Sequence, residues 1–140
     1  MSSVNKGLWD TKLNPIDIHK YNLQWLSRCK RLLTDNGTIW VSGTRHNIYS
    51  VGFALHQLGF KLLNDITWEK PNPPPNLTCR YFTHATETIL WAAKSHKSKH
   101  TFNHYLLKCE NDNKQMKSIW RIGVPRKKEK ECGKRYNNDI

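Results

Sequence analysis

The sequence predicts an α/β fold built on a mixed sheet: two parallel strands joined through a crossover helix, plus one antiparallel strand. Three observations predict it. Along residues 1–93, apolar residues recur at gaps of three and four in some segments and form short, nearly continuous runs in others. These segments follow the order helix, strand, helix, strand, long loop, strand. The long loop contains Pro71-Asn72-Pro73-Pro74-Pro75-Asn76, which fits neither a helix nor an interior strand and lets the chain return antiparallel.

Each element has its own local signal. Asn14 is an N-cap, Pro15 occupies the first helical position and Asp17 the first turn. Ile18, Tyr21, Trp25, Leu26, Cys29, Leu32 and Leu33 then form one apolar stripe, predicting a helix that buries this face. Arg28, Lys30 and Arg31 near its end suit the helix dipole, and Thr34-Asp35-Asn36-Gly37 stops it. Thr38–Gly43 is a short apolar run, the pattern of a strand covered on both faces by helices. A second helix is expected over about Asn47 to Leu58, with Ile48, Val51, Ala54, Leu55 and Leu58 inward. Gly59 is its C′ residue, and Phe60 packs back over its last turn. Alternation from Leu62 to Glu69 and the run Thr86 to Ala93 give the other two strands. Beyond them the chain is polar and basic, with Tyr105-Leu106-Leu107 and Ser118-Ile119-Trp120 as apolar islands.

At 140 residues the chain is expected to form one domain, and six Trp, five Tyr and four Phe give it core material that disordered chains lack. No run of about 18 apolar residues occurs, and MSSVNKGLWD contains no signal-peptide stretch. The expected location is the cytoplasm, with no membrane partner. Cys29, Cys79, Cys109 and Cys132 are scattered without C-x-x-C spacing, so neither a disulfide framework nor a zinc knuckle is expected. His96, His100 and His104 would align on one helical face, yet no carboxylate or cysteine completes a ligand set there. No metal is expected.

The net charge is +12, of which +8 falls in residues 94–140. Such a field favours a polyanion, nucleic acid first and an anionic membrane surface second. In open α/β sheets ligands collect beyond the carboxyl ends of the strands. Ser42-Gly43-Thr44 and Trp68-Glu69-Lys70-Pro71-Asn72 occupy that location, and Arg80-Tyr81-Phe82-Thr83-His84 adds aromatics interleaved with cations. That mixture suits stacking on nucleobases. From composition alone, however, Trp68, Tyr81 and Phe82 are expected as core residues before base contacts.

The stretch GTIWVSGTRHNIYSVGFALHQLGFKLLNDITWEKPNPPPNLTCRYFTHATETILWAAKS resembles the middle of a DNA adenine-N6 methyltransferase of the bacterial restriction–modification type, in the β group whose catalytic half precedes the cofactor half. VNKGLWD looks like the loop that follows the catalytic motif in these enzymes, and KQMKSIW with EKECGK resembles the connector before their cofactor half. The resemblance implies an incomplete Rossmann-like methyltransferase sheet over residues 1–134, with an α/β core over 1–93, a basic connector over 94–134 and a divergent tail over 135–140. It implies S-adenosylmethionine as cofactor, double-stranded DNA as partner and methyl transfer to an extruded, unpaired adenine. Cytosine-N4 chemistry shares the mechanism.

Carried onto this sequence, the resemblance makes Trp68, Lys70, Pro71 and Asn72 borders of the base pocket, with Ser42 and Gly43 at the adjoining strand end. Arg80, Tyr81, Phe82 and His84 become DNA-contact candidates, as do Arg126, Lys127, Lys128 and Lys130 in the connector. The family's catalytic tetrapeptide, Asp-Pro-Pro-Tyr or Asn-Pro-Pro-Tyr, has no match. Asn72-Pro73-Pro74-Pro75 ends in proline where an aromatic ring is required. Among Gly7, Gly37, Gly43, Gly52, Gly59, Gly123 and Gly133 no two stand one residue apart, as the cofactor loop needs. The expectation is therefore a truncated family member, inactive alone. The alternatives are a non-catalytic DNA-binding module, or a partner subunit that self-associates or docks with a complementary methyltransferase fragment.

Overall fold

The computed structural model describes residues 14–123. Three helices and four strands follow in the order α1 (Pro15–Leu32), β1 (Thr38–Gly43), α2 (Ile48–Gln57), β2 (Lys61–Glu69), β3 (Thr86–Ala93), α3 (His104–Glu110) and β4 (Ile119–Arg121). The strands form one mixed sheet in the order β1-β3-β2-β4. β1 and β2 both run antiparallel to β3, and so point the same way with α2 crossing between them. They are not neighbours, however: β3 returns through the loop and lies between them. β3 takes the central place because Leu90, Trp91, Ala92 and Ala93 are all buried, so both of its faces are covered. The small Ala92 lets the helices approach one side closely. β1 is an edge strand, with no strand on its outer side among the described residues.

Both sequence-predicted helices form. Asn14 accepts the Asp17 backbone N–H at 3.0 Å as the N-cap of α1. The apolar stripe on α1 is rotated from the expected one. Tyr21 and Leu32 are exposed, whereas Leu26 and Asn22 are buried. The amide explains the rotation. Asn22 Nδ2 donates to Asn47 Oδ1 at 2.7 Å and Ser50 Oγ at 3.0 Å, and its Oδ1 accepts from Trp25 Nε1 at 3.0 Å. A fully satisfied amide is tolerated in the core and ties α1 to the start of α2. α2 ends as expected. Gly59 adopts φ +71°, its N–H donates to His56 C=O at 2.9 Å, and the Phe60 N–H reaches Leu55 C=O at 3.0 Å.

The core lies between the α1–α2 pair and one sheet face, where Leu26, Ile48, Val51, Ala54, Leu55, Phe60, Leu90 and Ala92 cluster. Ile39 and Val41 of β1 pack against this cluster. The opposite face of β1 is not covered by a helix, contrary to expectation. There Trp40, which is 49% exposed, stacks on Trp91 with ring centroids 4.9 Å apart. Trp120 continues the stack at 6.2 Å, and Phe102 and His100 lie on Trp91 at 5.7 and 5.2 Å. On this face the indoles pack on one another and against the segment that follows β3.

The segment after β3 does more than connect. It crosses the tryptophan face, forms α3 around the Tyr105-Leu106-Leu107 island and adds β4 parallel to β2, pairing Trp120 with Trp68. Residues 94–103 are not helical, so the three histidines share no helical face; His100 packs edge-on against Trp91, and His104 opens α3. Among the described residues no helix is long and apolar enough to cross a membrane.

Candidate nucleic-acid interface

The sheet delivers the carboxyl ends of β1 and β2 and the amino end of β3 to one rim, because β3 runs opposite to both. A cleft of about 520 Å³ opens there, lined by Thr44, Arg45 and His46 after β1, Lys70 after β2, the loop residues Pro74 to Thr78 with Tyr81 and His84, and Glu87 of β3. Its β1 side is a tight turn. The N–H groups of Asn47 and Ile48 both donate to Thr44 C=O at 3.0 Å. Gly43 lies so close to α2 that a Cβ there would stand 3.3 Å from Ile48 Cδ1. A glycine lets the strand end meet the helix start directly.

The other side is the excursion between Lys70 and Ala85, whose base is closed by the Lys70 N–H donating to Ala85 C=O at 2.7 Å. Prolines stiffen its first half. Asn76 organises the second: its Oδ1 accepts from the Thr78 N–H at 3.1 Å and Thr78 Oγ1 at 2.8 Å, while its Nδ2 donates to Tyr81 C=O at 2.7 Å. Cys79 takes φ 52° to complete this turn. Asn76→Ala removes all three bonds. It is expected to raise the rate of proteolytic nicking within residues 71–84 by roughly fivefold, the effect of about 1 kcal/mol of local stability, with little change in global melting. Timed limited proteolysis checks this, and an unchanged nicking rate would show that the prolines alone hold the loop.

The floor is electrostatic. Lys70 Nζ pairs with Glu87 Oε1 and lies over the Trp68 ring, 5.2 Å from its centroid. Trp68 itself faces the tryptophan side of the sheet, where its Nε1 donates to Ile122 C=O at 3.0 Å. It braces Lys70 from below and does not line the cleft.

Of the sequence-predicted residues, Lys70, Tyr81 and His84 converge on the cleft. Ser42, Gly43, Pro71 and Asn72 adjoin it in the chain without lining it. Arg80 and Phe82 point away into solvent. Phe82 is 97% exposed and Tyr81 61%, so neither is a core residue. Arg126, Lys127, Lys128 and Lys130 lie outside the described residues. Sequence reasoning missed Arg45, His46 and Glu87. The strand-end rule would have reached the first two had it been carried two residues past Thr44. The described glycines build no paired loop at this rim, so these residues do not by themselves form a cradle for a methylsulfonium cofactor.

Comparison with known proteins gives the class to which this mixed sheet and its cationic, aromatic cleft belong. The DNA methylase model of the N6/N4 type matches residues 2–139, and the chain belongs to that family. More particularly, it is similar to three type II methyltransferases. It is 56% identical over 133 residues to M2.LlaDCHI of Lactococcus lactis subsp. cremoris, which covers 94% of this chain and 49% of the relative. Identity is 54% to M2.DpnII of Streptococcus pneumoniae, over 94% of this chain and 50% of the relative. It is 52% to M2.MboI of Moraxella bovis, over 96% and 49%. The chain thus spans about half the length of the curated relatives it matches.

Among solved structures, M1.HpyAVI superposes with a TM-score of 0.58 at 26% identity, covering 74% of this chain and 50% of that one. Its complex with SAM gives 0.51 at 33% identity, over 58% and 40%. The cytosine-N4-specific PvuII DNA methyltransferase shares the fold at a TM-score of 0.60 and 19% identity, over 95% and 54%.

Proposed function

We propose that this chain supplies the DNA-facing wall of an S-adenosylmethionine-dependent, adenine-N6 DNA methyltransferase of the restriction–modification type, acting on duplex DNA in the cytoplasm. The observation that carries this reading is the identity of 52–56% to type II methyltransferases over nearly the whole chain. The cleft at the strand ends supports it, since that rim is where α/β sheets take ligands.

The chemistry explains what such a wall must do. An exocyclic amine delocalises its lone pair into the ring and is a poor nucleophile. The base must therefore leave the stack and be held in one orientation. S-adenosylmethionine, when bound, supplies the electrophilic methyl group. On this reading the proline loop and Tyr81 present a stiff, partly aromatic surface to the extruded base. Lys70 is fixed by Glu87 below and by Trp68 beneath it, and His84 completes the border. Pro71 and Asn72 lead the loop out of the pocket, Ser42 and Gly43 carry β1 up to it, and Arg80 and Phe82 reach outward to the strand. The Arg126 to Lys130 run is assigned to phosphates on the strength of its charge alone.

Within these 140 residues there is no proton-accepting tetrapeptide and no glycine pair, so methyl transfer requires both from elsewhere in the working enzyme. The outer edge of β1, which has no strand partner among the described residues, is assigned to the strand that brings the tetrapeptide. That strand belongs either to the same enzyme or to a complementary fragment. Exchanging the matching half of a type II relative for this chain, and assaying methyl transfer to duplex DNA, tests the reading.

A further inference from the structure

We infer that Arg45 and His46 form a phosphate clamp on the β1 side of the cleft, holding the DNA backbone next to the nucleotide whose base enters opposite Tyr81. The inference rests on the proposed function and goes beyond it, because neither residue is among the base-pocket or DNA-contact candidates carried over from the family resemblance. Three observations carry it. First, Arg45 and His46 line the cleft facing a loop wall that presents Tyr81 and His84. Cation and ring thus stand on opposite sides of one opening, the arrangement that a phosphate and its attached base require.

Second, the cleft has an excess of positive charge. Among the described residues its only carboxylate, Glu87, is engaged by Lys70, and Arg45 makes no ion pair. A planar guanidinium left without an internal partner matches two oxygens of a phosphate. Third, the turn carrying both residues is held at each end, by the paired N–H bonds to Thr44 C=O and by the close seat of Gly43 on Ile48. The backbone that presents the two side chains is preorganised, which lowers the ordering cost of binding.

The test uses the full chain and a short fluorescent adenine-containing DNA duplex, titrated by anisotropy across a salt series. Arg45→Gln is expected to weaken binding roughly fivefold to tenfold at low salt and to reduce the slope of log K against log salt by about one, whatever the duplex sequence. His46→Gln lowers affinity in the same direction by a smaller factor. Tyr81→Ala weakens binding with the slope unchanged, because a ring releases no counterion. Circular dichroism melting confirms that each variant is folded.

If the unsubstituted chain binds with a steep salt slope and Arg45→Gln leaves both slope and affinity intact, the clamp is overturned while the function stands. If the unsubstituted chain shows no salt-dependent duplex binding, the proposed function fails and takes the clamp with it. Tighter binding of an RNA duplex would overturn DNA as the partner.

Discussion

Duplex binding by this chain is expected to fall about a thousandfold between roughly 50 and 200 mM salt, the loss that corresponds to about six neutralised phosphates. The expectation follows from where the charge sits. Of the net charge of +12, +8 falls in residues 94–140, and Arg45 and Lys70 stand at one rim of the sheet. A scattered surface charge would make the chain soluble without making contacts in register, and its binding would be weak at every salt concentration. Anisotropy titrations across the salt series read the slope directly. A flat dependence would mean that the basic residues are solvated individually and do not track a phosphate backbone.

The second large effect concerns stability. Phe60→Ala is expected to cost about 3–5 kcal/mol, a large share of the 5–15 kcal/mol typical of a domain. Phe60 is 1% exposed and belongs to the main apolar cluster. It also closes α2: its N–H satisfies Leu55 C=O, and Lys30 Nζ stands over its ring at 5.2 Å while bonding Leu58 C=O. Removing the ring therefore opens a cavity under the helix end and loosens the tie between α1 and α2. Phe60→Leu keeps most of the volume and should cost under about 2 kcal/mol. Urea unfolding with an unchanged m-value measures both, and a cost below about 1 kcal/mol for alanine would place the real core elsewhere.

What was legible in the sequence was local. The Asn14 cap, the Gly59–Phe60 helix end and the bounds of β1 and β3 depend on residues within four or five positions of each other, and each formed as expected. What was not legible depended on distant partners. Nothing near Asn22 announces that Asn47 and Ser50 will satisfy its amide, so the apolar spacing points to Tyr21 for the buried place that Asn22 takes. The position of β3 between β1 and β2 depends on which strand can bury two faces at once, a property of the finished sheet. β4 is three residues paired on one side, too short for periodicity to reveal. The site divides in the same way. Strand-end reasoning located Lys70, and composition located Tyr81 and His84. Arg45 and His46 lie just past the strand end that this reasoning reached, and Glu87 joins them because an antiparallel strand returns to the same rim.

The most direct measurement replaces the matching stretch of M2.DpnII with residues 2–139 of this chain and follows transfer of a labelled methyl group to adenine-containing duplex DNA. The relative would then supply every motif these residues lack, and this chain the cleft wall. N6-methyladenine is expected at a rate within about tenfold of the relative's, because on the proposed function this chain contributes binding and orientation. A chimera that folds, binds duplex and S-adenosylmethionine, and still transfers no methyl group would contradict it.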